Sequence, residues 1–156
     1  MKRNATVILA LAAAASFGVT TGCSKLEARN HLNKGVRAFK VAQYPVAVEH
    51  FKRAAGLDPE LTTAKVYLAT AYYSQYIPGA ESPENKEMAD SAFREFNRVL
   101  ESEPNNGLAL ASIASLYFHQ KKWDEAEKWN HRLVTAKPKS KEGFYTLGVI
   151  AWTRSF

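Results

Sequence analysis

A single cysteine, Cys23, leaves the chain without any intramolecular disulfide and without a cysteine pair for metal. Long hydrophobic runs are missing too. The uncharged apolar stretch Val7–Val19 has 13 residues, short of the roughly 20 that span a bilayer. Glycines are isolated, which excludes a glycine-rich phosphate-binding loop. Histidines are few: His31, His50, His119 and His131 fall at unrelated positions, with no pair at helical metal-ligand spacing. The best candidate pair, His119 and His131, would sit on two separate helices and reads as surface or packing residues. No nucleophile–base arrangement is visible, and the carboxylates read as solvated helix faces. These absences predict a chain that is not an enzyme, with no cofactor, no metal and no evident small-molecule substrate.

Excess charge of one sign is also scarce. The formal net charge of +6 includes Lys2 and Arg3, which lie in a segment expected to be removed. The cluster Lys137, Lys139 and Lys141 reads as a solvated turn, so no nucleic-acid partner is expected. Apolar residues make up 46% of the chain, too many for a disordered polymer. With 156 residues, there is enough chain for one domain with a real core.

What is present is periodicity. Gly35, Ala69, Ala114 and Gly148 are spaced 34, 45 and 34 residues apart. Ala47, Ala92 and Ala126 follow the 45 and 34 spacing, as do Pro59, Pro104 and Pro138. Three columns in register define a repeat of 34 residues with an 11-residue insertion in its second copy. Periods of this size build stacked supersecondary units. The expected units are 28–61, 62–106 with the insertion, 107–140 and a partial one at 141–156.

Local signals place two helices in each full unit. Pro45 suits a first helical turn, and Val46, Ala47, Val48, Phe51, Ala54 and Ala55 give an apolar stripe. Ser82-Pro83-Glu84 restarts a helix after the turn signal Ile77-Pro78-Gly79. Ser24-Lys25-Leu26-Glu27 has capping-box spacing, predicting that the first helix begins at Ser24. The segment Ser74–Glu87 is expected to form an elongated turn. The fourth unit ends without a second helix, which leaves Val149 and Trp152 to be covered by more chain or by a partner.

The first unit carries Gly35, Ala47, Phe51, Ala54 and Asp58-Pro59. The second carries Leu68, Ala69, Tyr72, Ala92, Phe96 and Pro104, and the third Ile113, Ala114, Tyr117, Ala126 and Pro138. In this order and period they resemble the tetratricopeptide repeat (TPR) over nearly all residues after Ala28. The resemblance implies an all-α, right-handed superhelix of antiparallel helix pairs with an incomplete last repeat. It departs where Val99 and Leu133 replace Ala54, and where Asn130 replaces Phe51 with Trp129 beside it.

In such proteins the first helices of successive units line a concave groove that holds proteins or peptides. The resemblance then implies a partner-binding column of Phe39, Tyr73, Phe118 and Trp152. Beside it run Leu32, Val66, Ala111 and Tyr145, then Val36, Thr70, Ser115 and Val149, with Arg29, Lys40 and His119 at the rim. Chaperone-binding members line this groove with Lys, Asn and Arg to clamp a carboxylate, a pattern this sequence lacks. The competing reading is that the aromatic column is core packing.

At the N-terminus, the basic Met1–Asn4, the apolar run and Thr20-Thr21-Gly22-Cys23 resemble a bacterial lipoprotein signal peptide over 1–22, with Thr20 departing from the usual aliphatic residue. That resemblance implies lipid attachment at Cys23, a periplasm-facing position in the cell envelope and, with Ser24 next, the outer membrane. An ordinary secretion signal, an uncleaved anchor and a buried free cysteine are the other readings of these residues. The function expected from both resemblances is a lipid-anchored scaffold for partner proteins. The alternative is a structural subunit that self-associates end to end through its uncapped last repeat.

Overall fold

The protein, represented by a computed structural model, is described over residues 22–155. Among these residues it is all helix and turn. The helices are α1 (22–40), α2 (Tyr44–Leu57), α3 (Thr62–Tyr73), α4 (Pro83–Ser102), α5 (Gly107–His119), α6 (Trp123–Ala136) and α7 (Lys141–Thr153). Residues 1–21, and with them all of the expected leader segment 1–22 except Gly22, lie outside the described residues, as does Phe156.

Helix starts follow local chemistry. The Ser82 hydroxyl accepts the Asn85 amide (3.1 Å) at the head of α4, with Pro83 in the first turn. Asn106 Oδ1 accepts the Ala109 amide (3.0 Å) at α5, and Ser140 accepts the Gly143 amide (3.2 Å) at α7. Asp124 and Glu125 place negative charge in the first turn of α6.

Ser24 departs from its expected role. Residues 22 and 23 are already helical, so Ser24 is not the cap of α1. Its hydroxyl donates instead to the Leu57 carbonyl (2.6 Å). That carbonyl is in the last turn of α2, where helix geometry leaves oxygens without an intrahelical partner.

Each helix packs on those before and after it, and the buried side chains form two clusters. Ala38, Ala47, Val48, Phe51, Leu68 and Ala71 join α1, α2 and α3. Phe96, Val99, Leu110, Ile113, Leu116 and Leu133 join α4, α5 and α6, with Ala69 of α3. The repeated small residues show their purpose at Gly35. A Cβ added there would lie 2.5 Å from Phe51 Cε1. Phe51 is fully buried, worth about 2–3 kcal/mol. Ala69 and Ala114 are likewise buried in their own units. Asn130 fills the third unit's counterpart of Phe51. It is 2% exposed, and its amide donates to the Ala126 carbonyl (2.8 Å).

The 11-residue insertion divides between two elements. Residues 74–82 make a longer turn, and α4 runs 20 residues against 14 in α2 and α6. The turn is fixed by one side chain. Asn85, 7% exposed, accepts from the Ile77 amide (2.7 Å) and donates to the carbonyls of Ile77 (2.9 Å) and Ala80 (2.7 Å).

Helix α7 lacks the packing that its predecessors have. A Cβ at Gly148 would meet nothing within 4 Å. The two glycines therefore predict opposite outcomes. Gly35→Ala should destabilise by about 1–3 kcal/mol through overpacking against Phe51. Gly148→Ala should stabilise by about 1 kcal/mol through helix propensity. Thermal melts of the two variants check this. Equal shifts would mean that the two positions are equivalent in packing.

Candidate partner-binding groove

The predicted aromatic column occupies the C-terminal ends of α1, α3, α5 and α7. Phe39 is half-buried and meets the rings of Tyr44 (5.3 Å between centroids) and Tyr67 (6.4 Å), both edge-on. Phe118 is half-buried against Trp123 (5.4 Å, edge-on). Tyr73 meets Phe96 edge-on (6.3 Å), and its hydroxyl is 2.9 Å from the Ser115 hydroxyl. That bond ties α3 to α5 across neighbouring units. Trp152 is different, at 66% exposed, and Tyr145 is 75% exposed. Leu32, Val36 and Val66 are half-buried and pack against the two core clusters. The column thus contributes one side of each ring to the fold in the full units and presents most of its surface only on α7.

Sequence reasoning missed the clamping partners. Tyr44 and Trp123 each follow the column aromatic by five residues and open the next helix. The turns that they bridge share one conformation. Ala42 (φ 58°) and Lys121 (φ 57°) take the left-handed form, which costs a non-glycine residue about 1–2 kcal/mol. In both turns the following residue's amide returns to a carbonyl inside the preceding helix: Gln43 to Ala38 and Lys122 to Tyr117, each 3.0 Å. The ring pairs hold these turns closed. A repeated aromatic at a spacing of five was the available signal.

A second missed feature is a cleft of about 510 Å³ between α2, α3 and α4. Lys52, Lys65, Glu95, Arg98 and Glu101 line it together with Gly56 and Leu68. Its charges are partly self-satisfied. Arg98 pairs with Glu95 (2.9 Å), and Lys52 lies 3.5 Å from Glu49.

Cys23 is exposed on α1. The histidine singled out on α6, His131, lies 3.9 Å from the Glu127 carboxylate, and His119 meets the Phe118 ring. The histidines that do meet are His31 on α1 and His50 on α2, with Nδ1 atoms 3.1 Å apart. Among the described residues, no three His, Cys, Asp or Glu side chains come together to hold a metal ion. Burial lowers the His50 pKa below its ordinary value, and His31, Lys34 and Arg53 lower it further. Glu27 lies on the same cleft wall as His31 and Arg53.

At 3.1 Å one imidazole must accept while the other donates. A folded-state pKa below the unfolded value means that the unfolded chain takes up the proton more readily. The contribution is therefore complete above about pH 6.5 and is lost as pH falls through the lower folded value. We expect stability to decline on that acid side, and His50→Gln to flatten the decline. Urea melts from pH 7.5 to 5 read this directly. A slope unchanged by the substitution would remove His50 as its source.

The tetratricopeptide repeat family matches residues 86–147. The first TPR of Spaghetti (RPAP3), bound to the HSP90 peptide SRMEEVD, superposes with a TM-score of 0.70 at 19% identity, covering 85% of this chain and 96% of that one. The Arabidopsis OM64 TPR domain gives 0.70 at 15%, covering 83% and 98%. The second TPR domain of human RPAP3, in complex with the HSP70 peptide SGPTIEEVD, gives 0.65 at 16%, covering 84% and 98%. No curated protein matches the sequence. The chain has the all-α TPR fold.

Proposed function

We propose that this chain is a non-catalytic TPR scaffold, lipid-anchored through Cys23 on the periplasm-facing side of a bacterial envelope. It binds partner proteins through the face bearing Leu32, Val36, Phe39, Val66, Tyr73, Phe118, Tyr145 and Trp152. The observation that carries the reading is the aromatic column. Three of its rings, Phe39, Tyr73 and Phe118, are held in place from one side by Tyr44, Tyr67, Phe96 and Trp123. Preorganised aromatics of this kind concentrate binding energy. The two RPAP3 domains were solved with chaperone peptides that both end in Glu-Glu-Val-Asp. The columns here are apolar and aromatic, which suits a peptide segment with apolar or aromatic side chains rather than an acidic tail.

The exposed pair provides the clean variant. Tyr145→Ala with Trp152→Ala should leave the melting temperature within about 2 °C and weaken partner capture from crosslinked envelopes at least tenfold. Phe39→Ala and Tyr73→Ala should instead cost about 2–4 kcal/mol of stability, because those rings also pack the core. An unchanged partner set with the exposed pair removed would sink the groove reading.

The anchor is tested separately. The sulfur of an exposed Cys23 is accessible to transfer of a diacylglyceryl group, and its acyl chains, at about 0.8 kcal/mol per buried CH₂, hold firmly. Mass spectrometry should find Cys23 as the acylated N-terminal residue, and Cys23→Ala should leave the membrane fraction. A mature N-terminus other than Cys23 would end the lipoprotein reading and leave the groove reading intact.

A further inference from the structure

We propose that the outer face of α1 is a membrane-contact surface, which lays this helix along a bilayer carrying anionic phospholipid. The inference takes the anchored chain proposed above as its starting point and concerns how that chain lies.

The charge distribution carries it. Helix α1 holds five cations, Lys25, Arg29, Lys34, Arg37 and Lys40, against one acid, Glu27. Residues 41–156 hold fourteen cations and fourteen acids. Beyond the expected leader segment, the surplus positive charge is therefore all on one helix. Glu27 does not offset it on the outer face, because it lies on the cleft wall with His31 and Arg53. Elsewhere Lys52, Lys86, Arg98 and Arg154 each pair with a carboxylate. Among the described residues, none of the five cations of α1 does.

The face also has an order. Steps of three and four residues join Cys23, Leu26, Asn30, Lys34 and Arg37, which puts them on one side of the helix. All five are exposed. Leu26 is 72% exposed at one end, and Val41, in the turn after the helix, is 65% exposed at the other. A strip with its attachment point and an apolar tip at one end, cations along it and a second apolar tip beyond them matches a lipid interface. Phosphates meet the ammonium and guanidinium groups while the apolar tips enter the acyl boundary. An acidic protein would account for the cations but not for the attachment point in the same row. Leu32, Val36 and Phe39 lie roughly 140° round the helix, so the groove stays open to its partner.

Screening decides the posture. Cys23 and Lys40 are about 25 Å apart along the helix, and the Debye length at physiological ionic strength is about 8 Å. An upright helix would leave Lys34, Arg37 and Lys40 beyond the reach of the surface potential. A flat one brings the whole row within it.

Lysine reactivity tests this. The full chain, purified from the envelope, is added to preformed phosphatidylcholine vesicles with or without about 30% phosphatidylglycerol. A membrane-impermeant amine reagent is then read out by mass spectrometry. Lys34 and Lys40 should react at least about fivefold more slowly on the anionic vesicles, and about 0.5 M salt should restore them. Lys86 on α4 and Lys128 on α6 should not change. Lys34→Glu with Arg37→Glu should abolish the protection of Lys40, with circular dichroism verifying the fold. Should that variant unfold, Lys34→Gln with Arg37→Gln takes its place. Equal rates at Lys34 and Lys40 on the two kinds of vesicle would overturn the proposal. So would protection that salt or the double variant leaves intact, or equal protection of Lys86 and Lys128. Protection in native envelopes but not on anionic vesicles would assign the face to an acidic protein, and equally overturn it. The same spectra show whether Cys23 is acylated. Acylated Cys23 with reactive Lys34 and Lys40 keeps the anchor and removes this face, whereas protection without acylation does the reverse.

Discussion

The seat of Phe51 on Gly35 is the contact on which the architecture depends. In the first unit the two helices approach where Gly35 carries no side chain, and the Phe51 ring fills the gap. Burying that ring stabilises the pair, but the pair still has an apolar flank. The next unit covers it, as Leu68 and Ala71 of α3 complete the cluster around Phe51. Stability in such a stack is a sum of near-neighbour terms. The position of each seat in the sequence therefore fixes the position of each unit in space.

The same rule explains how the insertion is tolerated. Eleven extra residues between Ala69 and Ala114 leave both seats intact, because they enter the turn and the start of α4 rather than the packed faces. Loop closure alone adds little cost as a turn lengthens. A longer turn does expose more backbone polar groups, and Asn85 answers three of them with one side chain. The turn is thereby a defined shape with Ile77, 64% exposed, near its apex.

Much of this was legible in the sequence because the seats demand particular residue types at a fixed period. Gly35, Ala69, Ala114 and Gly148 announce the units, and Pro45 and Ser82-Pro83 announce helix starts. What stayed hidden depends on which surfaces meet. A serine followed three residues later by glutamate looks like an N-cap, yet nothing local says that the Ser24 hydroxyl will face the end of another helix. His31 and His50 are 19 residues apart, and only the register of α1 against α2 brings their rings together. The aromatic column was visible as a column, but the rings that pack against it were not. The support from Tyr44 and Trp123 comes from turn geometry, which the left-handed Ala42 and Lys121 set.

The Ser24–Leu57 hydrogen bond links events that the chain order keeps apart. The first described turn of α1 holds the last turn of α2, so fraying or proteolysis at the amino end would loosen the closure of the first helix pair. Tension applied near Cys23 would load that bond before it reached the buried ring of Phe51. The amino-terminal turn is thus fastened to the end of α2 by a contact separate from the aromatic seat of Phe51 on Gly35.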